Sequence, residues 1–312
     1  MQQLYLITGG AGFIGSHIVE ELVAKGERVR VIDNLSTGRR ENLQHLKDDI
    51  EFMEGDLRDL ETTTRAVAEV DCVIHQAALP SVPQSIKDPQ GNTENNLNGT
   101  LNLLMAARDA GVKRVVYASS CAVYGDSPIL PKSEDLLPTP LSPYAASKLA
   151  GEYYCRVFHH VYDLETVCLR YFNIFGPRQD PLSEYAAVVP RFITRALSQE
   201  PLLVYGDGEQ SRDFLFVANV VQANLLACRA EGIAGEQFNV GCGERISLNR
   251  LIKELKAILD DDVRVEYTAT RPGDIKHSQA SIERASALMG YEAKVPLEEG
   301  LRRTVEWFRE TE

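Results

Sequence analysis

Short apolar runs alternate with amphipathic stretches along the first half of the chain. Leu4-Tyr5-Leu6-Ile7 runs into Thr8-Gly9-Gly10-Ala11-Gly12, and Ile14, Ile18, Leu22 and Val23 follow at helical spacing. That order predicts a buried strand, a tight turn and a helix stopped by Lys25-Gly26. Further strands are predicted at 28–32 leading into Asp33, at 50–53, at 71–75, and at 114–118 stopping at Ser119-Ser120. A long helix over 93–110, closed by Gly111, lies between the last two. Strands alternating with helices through short joins predict an α/β fold with a doubly wound parallel sheet.

Past Tyr171 the alternation becomes irregular and the loops turn rich in proline and glycine. Residues 1–172 therefore read as one domain, and 173–312 as a smaller, interleaved C-terminal α/β domain. A later strand at 237–240 is expected to rejoin the first sheet. Ser247 is placed to cap a helix carrying Leu248, Leu251, Ile252, Leu255 and Ile258, and Leu297, Leu301, Val305 and Phe308 form another apolar stripe.

Composition narrows the function. With 33 basic against 45 acidic residues the net charge is −12, which argues against nucleic acid or an anionic membrane as the main partner. No apolar run approaches the roughly 20 residues of a membrane span. The start enters a strand directly, without a secretory core. The six cysteines are scattered, and none of their spacings suits a metal, so reduced thiols in a cytoplasmic protein are expected.

The glycine turn carries the first chemistry. Gly9 allows the sharp turn, Gly12 allows close approach of a pyrophosphate, and Gly15 lets helix and strand pack closely. The unpaired amides of the following helix would hold the phosphates. Asp33, 18 residues after Gly15, is placed to accept from an adenosine ribose. Together these predict a Rossmann-type dinucleotide site. The polar loop Asn34-Leu35-Ser36-Thr37-Gly38 suits the adenosine side. The Asp33 carboxylate favours NAD over NADP, although Arg39 and Arg40 leave the second open. Asp56, in Gly55-Asp56-Leu57, is a candidate partner for the adenine amine or else a helix cap. Small residues in Gln76-Ala77-Ala78 would let a flat cofactor lie against the backbone, and His75 reads as a core histidine.

In Ser142-Pro143-Tyr144-Ala145-Ala146-Ser147-Lys148, Pro143 suits a first helical turn. Tyr144 and Lys148, four apart, share one helical face.

The ordered set Gly9, Gly12, Gly15, Asp33, Ser120, Tyr144 and Lys148 resembles the extended short-chain dehydrogenase/reductase family over essentially the whole chain. Asp33-Asn34-Leu35-Ser36-Thr37-Gly38, Arg170-Tyr171-Phe172-Asn173 and Arg271-Pro272-Gly273-Asp274 are similar to its UDP-sugar 4-epimerases. Gln76-Ala77-Ala78-Leu79, Arg178-Gln179-Asp180-Pro181, Tyr185-Ala186-Ala187-Val188 and the run 273–280 resemble the UDP-N-acetylglucosamine 4-epimerase branch. One departure is Pro80, which removes any side-chain contact to NAD from that position.

The resemblance implies tightly bound NAD, a UDP-sugar substrate and a homodimer through the helices at 93–110 and 143–161. It implies Ser120, Tyr144 and Lys148 as catalytic. It adds Phe13, Ile14, Leu57, Asn96 and Tyr171 to the cofactor residues. On the substrate it places Ser81, Asn173, Ala187, Val188 and Tyr205, with Asp274 and the diphosphate arginines Arg212 and Arg271, whose planar guanidinium groups suit bidentate phosphate contact. Ser278 and Ala187 stand where strict UDP-glucose epimerases carry tyrosine and asparagine. An N-acetyl group needs that space, so UDP-GlcNAc and UDP-GalNAc are expected substrates, alongside UDP-glucose and UDP-galactose. A strict UDP-glucose 4-epimerase is the alternative, with a UDP-glucuronate 4-epimerase behind it. A non-catalytic NAD-sensing protein is expected to have lost Tyr144 or Lys148.

The chemistry has its own logic. Inverting a secondary alcohol requires loss of its proton, removal of hydride and return of hydride to the other face. A tyrosine with a pKa near 10 is a poor base at pH 7, and lowering it by about three units takes roughly 4 kcal/mol. A lysine ammonium some 4–6 Å away would provide roughly 3–4 kcal/mol, and a positive nicotinamide adds to it. Ser120 would bridge the sugar O4 and the tyrosine, while Ser119 reads as the structural serine. Members that eliminate water or carbon dioxide carry acids where this chain has Cys121 and Ala122, so elimination is not expected.

Overall fold

In the computed structural model, which describes residues 2–181, 187–259, 262–270 and 275–311, the first apolar run forms β1 (Leu4–Thr8), buried at every position. α1 (Phe13–Ala24) starts at the glycine turn and ends on Lys25, with Gly26 at φ +76°. β2 (Arg28–Asp33), β3 (Ile50–Glu54), α2 (Leu60–Val67) and β4 (Cys72–His75) follow, then the short helices α3 (Val82–Lys87) and α4 (Pro89–Thr93).

The helix predicted over 93–110 begins earlier and is not uniform. Asp88 accepts from the Gly91 amide ahead of Pro89, a capped start that lies upstream of the apolar pattern. α4 then runs through a π turn at Glu94–Asn98 into α5 (Gly99–Asp109). Such turns concentrate at functional sites, and this one carries the buried Asn96.

β5 (Arg114–Ser120), α6 (Pro143–Tyr162) and β6 (Glu165–Tyr171) continue the alternation. β7 (Asn173–Phe175), α7 (Val188–Leu197), β8 (Leu202–Tyr205), β9 (Ser211–Arg212) and β10 (Phe214–Phe216) are the less regular part. After them come α8 (Val217–Arg229), β11 (Gln237–Val240), β12 (Ile246–Ser247), α9 (Leu248–Leu259), β13 (Val265–Thr268), α10 (Glu283–Met289) and α11 (Leu297–Thr311).

The main sheet has the order β11-β6-β5-β4-β1-β2-β3, parallel at every pairing. The order reverses between β1 and β4, where the carboxyl ends of a doubly wound sheet open a crevice. β11 joins beside β6, and α8 comes with it. Val221 and Leu225 pack in one cluster with Ile18, Val19 and Leu22 of α1. The chain thus returns to the first sheet before its strand does.

The remaining strands form the pairs β7–β10, β8–β13 and β9–β12. Phe192, Leu251, Leu255, Leu301 and Phe308 pack a second core beside them. Ser247 caps α9 as expected, accepting from the Arg250 amide at 3.2 Å. Among the described residues no helix is long and apolar enough to cross a membrane.

Candidate active site

The turn after β1 can be completed only by glycine. Gly9 has φ +66°, and a Cβ there would lie 2.8 Å from the Ala77 backbone. A Cβ on Gly15 would overlap the Gly9 carbonyl oxygen and hold α1 away from β1. Asp59, Ser81, Asp88 and Ser142 cap α2, α3, α4 and α6, whereas α1 begins at Gly12 with no side-chain cap. Its first amides, at Phe13 and Ile14, keep their capacity for an anion at the positive end of the helix.

Asp33, buried at the end of β2, accepts from Ala11 N at 3.0 Å and Leu35 N at 2.8 Å. One amide on each oxygen leaves acceptor capacity for the two hydroxyls of a ribose. A Cβ on Gly38 would come 2.7 Å from the carboxylate, so the loop closes tightly on it. Of the two arginines that left NADP open, Arg39 lies 3.4 Å from Asp180 and Arg40 pairs with Glu54 at 2.8 Å. The donor set fits NAD.

Asn34 accepts from Ser36 N at 3.1 Å and donates to Asp56 at 2.8 Å, with Ser36 and Thr37 exposed. Asp56 does not cap α2; Asp59 does. Arg58 grips both Asp56 oxygens and holds the carboxyl at about 2. With Asn34 and the Arg58 amide its acceptor sites are occupied, so an adenine amine would have to displace one of them. Leu57 is buried in the sheet core.

At the ends of β4 and β6, Gln76 donates to Tyr171 Oη at 2.9 Å and to Asn224 at 3.1 Å. Asn224, on α8, was not expected, and no sequence signal marks it. Asn96 uses its amide on the main chain, accepting from Leu79 N at 2.7 Å and donating to Leu79 O at 3.1 Å. It therefore shapes the loop after Ala77 and Ala78. His75 is the expected core histidine. Thr100 donates to the Asn96 carbonyl, so His75 Nε2–H donates to Thr100, and Nδ1 accepts from Thr8 at 2.7 Å. Burial, with the Lys148 charge, pushes the imidazole down to about 3.

Ser120 ends β5, and Tyr144 and Lys148 occupy consecutive turns of α6. The Ser120 hydroxyl lies beside the Tyr144 phenol and favours its ionised form, and Ser120 Oγ accepts from Ala122 N at 3.1 Å. Lys148 Nζ donates to the Ala118 carbonyl at 2.8 Å and sits 5.1 Å from the centre of the Tyr117 ring. Burial pushes its ammonium down to about 8. The tyrosine differs from expectation: burial outweighs the favourable influence of the Ser120 hydroxyl and raises the phenol to about 12. Lys148, turned onto Ala118, does not offset this. The polypeptide alone holds Tyr144 as the neutral phenol.

The remaining candidates lie on α3, β7, α7, β8, β9 and the loops beside them. Ser81 caps α3. Asn173, opening β7, keeps a buried Oδ1 with no hydrogen-bond partner among the described residues, as a ligand contact would require. Ala187 precedes α7, Val188 begins it, and the half-buried Tyr205 ends β8. Ser278 is buried against β9 through a 3.0 Å bond from its amide to Ser211 O. Arg212 follows on that strand, and its charge reaches the Cys121 thiol beside Ser120. Arg271 and Asp274 lie outside the described residues, as do Tyr185 and Ala186.

Residues 5–241 match the model of the NAD dependent epimerase/dehydratase family. The chain belongs to this family. It is 40% identical to the UDP-glucose 4-epimerase of Mycolicibacterium smegmatis over 97% of this chain and 98% of that one. It superposes at a TM-score of 0.96, with 41% identity and 100% of both chains covered, on a UDP-N-acetylglucosamine 4-epimerase from Methanobrevibacter ruminantium solved with UDP-N-acetylmuramic acid. The NAD complex of Thermus thermophilus UDP-glucose 4-epimerase gives a TM-score of 0.90 and 42% identity over 98% of this chain and 99% of that one.

In this epimerase chain NAD is the cofactor, and the enzyme is an isomerase. Next to Ser120, Ala122 cannot move a proton, and burial pushes the Cys121 thiol up to about 11.

Proposed function

We propose that this chain, a UDP-sugar 4-epimerase, interconverts UDP-GlcNAc and UDP-GalNAc through a 4-keto sugar and also turns over UDP-glucose and UDP-galactose. The placement of Ser120 beside Tyr144 at the end of β5, with Lys148 one helical turn further along α6, carries the reading. Tyr144 takes the O4 proton and later returns it, and Ser120 orients both oxygens. Lys148 and the amides of Phe13 and Ile14 hold the dinucleotide, with Asp33 on its ribose. When bound, NAD supplies the hydride acceptor and, in its oxidised form, a positive charge. Asn173 contacts the sugar or the diphosphate, and Arg212 and Arg271 hold the diphosphate.

Acceptance of the acetylated sugars rests on Ser278, a small buried side chain next to the strand of Arg212. The Methanobrevibacter neighbour, solved with an N-acetylated nucleotide sugar, supports that reading. The Mycolicibacterium and Thermus names favour the second reading, a strict UDP-glucose 4-epimerase. Assay of the purified enzyme on the four UDP-sugars separates the two. Ser278→Tyr is expected to abolish turnover of the acetylated pair and spare the other; equal loss on both removes the argument. Tyr144→Phe is expected to keep NAD and lose nearly all turnover.

The same reading includes a cytoplasmic homodimer through α5 and α6, with residues 1–172 and 173–312 as its interleaved domains. Tyr153, Val157 and Val161 recur at helical spacing on the exposed face of α6, and a second copy would cover them. Sedimentation at a monomer's mass excludes it.

A further inference from the structure

We infer that the buried pair Glu152–Arg170 is a positioning device, which fixes the axial register of α6 against β5 and β6 and so the spacing of Ser120 from Tyr144 and Lys148. The inference rests on the catalytic roles proposed above for those three residues.

Glu152 lies one turn beyond Lys148 on the same face of α6. Its carboxylate accepts from Arg170 Nε at 2.9 Å and Nη2 at 2.7 Å, and from the hydroxyl of Ser119. Ser119 and Arg170 are directly opposed in the β5–β6 register, one step before the pair Ser120 and Tyr171. One carboxylate thus holds two neighbouring strands where the candidate catalytic residues begin. The remaining arginine nitrogen continues the chain of contacts. Nη1 donates to Tyr124 Oη at 2.9 Å, and Tyr124 donates to Asn239 of β11 at 2.7 Å. Ser119, Tyr124, Glu152, Arg170 and Asn239 are all buried.

Stability is a poor account of such a pair. Desolvating two charges costs about as much as their attraction returns, so hydrophobic replacements are often neutral or better. What the fork does is admit one alignment. A slip of α6 by one residue moves it about 1.5 Å along its axis and breaks both arginine bonds. A displacement of about 1 Å at reacting groups can cost roughly a hundredfold in rate.

The pair is also reachable. Glu152 and Arg170 line a surface cavity of about 250 Å³ beside Leu137, Tyr153 and Arg156, and none of the candidate site residues lines it. A small cation from solvent can therefore stand in for a deleted guanidinium.

Arg170→Ala is expected to lower kcat roughly a hundredfold while KM changes less than about threefold and NAD content is kept. Millimolar ethylguanidinium should then restore kcat about tenfold or more through that charge-assisted contact. The same salt should leave Tyr144→Phe inactive. Should Arg170→Ala not fold, Ser119→Ala decides; loss of one hydrogen bond should lower kcat about fivefold with KM unchanged. Wild-type kcat in whichever variant folds overturns the inference, as does a cation that raises the melting temperature without raising kcat. An active Tyr144→Phe instead overturns the catalytic assignment, which separates the two failures.

Discussion

Arg178 Nη2 lies 2.7 Å from Glu20 Oε2 and ties the loop after β7 to α1, the helix that begins at the glycine turn. The loop touches that helix twice more, through Pro177 O and His17 Nε2 at 3.0 Å and through Arg178 Nη1 and Ser16 Oγ at 3.3 Å. Burial pushes the His17 imidazole down to about 4, so at neutral pH it is uncharged and its Nε2–H donates to the carbonyl. Arg178 holds φ +67°, which L side chains rarely adopt, and these contacts offset that cost. Asp180 extends the strap to Arg39, whose amide donates to Ala11 O.

A strap anchored on the phosphate helix and near Asp33 should retard escape of the dinucleotide. Arg178→Ala is expected to speed NAD dissociation roughly tenfold, the equivalent of one charged hydrogen bond. Release from the loaded enzyme, followed by trapping with an NAD-consuming dehydrogenase, measures it. An unchanged off-rate excludes a retaining role.

What could be read in advance was local chemistry. The turn from Thr8 to Gly15, Asp33 at its strand end and the four-residue spacing of Tyr144 and Lys148 each depend on neighbours close in the chain. The π turn around Asn96 was hidden because its start signal, Asp88-Pro89, precedes the apolar pattern. Asn224 was out of reach for another reason: it meets Gln76 across 148 positions, and a lone asparagine on an amphipathic helix carries no mark. The phenol of Tyr144 illustrates a third limit. Helical spacing sets Lys148 on the same face, but only packing shows that its ammonium turns to Ala118.

Arg30 and Arg114 repeat one device on two strands. Arg30 Nη1 donates to Ala66 O and Ala68 O at the end of α2, and its Nε donates to Glu51 at 2.7 Å. Arg114 Nη1 donates to Ala227 O and Ala230 O at the end of α8, with Glu165 at 2.8 Å. Each satisfies orphan carbonyls and opposes the negative helix end. Arg114→Met should cost about 2–3 kcal/mol by stranding those acceptors. Urea unfolding of nucleotide-free protein measures it; a loss below about 0.5 kcal/mol would show water doing the same work.

His75 should make stability pH-dependent. Its folded pKa, about 3, lies below the ordinary 6.5, so the unfolded chain takes up the proton first as pH falls. The contribution is complete above pH 6.5 and disappears progressively toward pH 3. His75→Gln should remove about 1.4 kcal/mol per pH unit from the slope of stability between pH 6.5 and 4. Identical slopes for variant and wild type would place the acid sensitivity elsewhere, with His17 the next group to replace.

Tyr144 offers the most direct check on the proposed base. Its phenol, raised to about 12 by burial, should remain protonated in nucleotide-free protein across the working pH range. A unit positive charge some 4–6 Å away is worth roughly 3–4 kcal/mol, or more than two pKa units. Phenolate absorbance near 295 nm, taken as wild type minus Tyr144→Phe, isolates this residue from the exposed Tyr153, Tyr154 and Tyr267. Up to about pH 10 the difference should be flat without nucleotide and show one ionisation in the NAD-loaded enzyme. A flat difference in both forms would leave the enzyme without its base, since the neutral His75 is locked between two threonines and Cys121 keeps its proton to about 11.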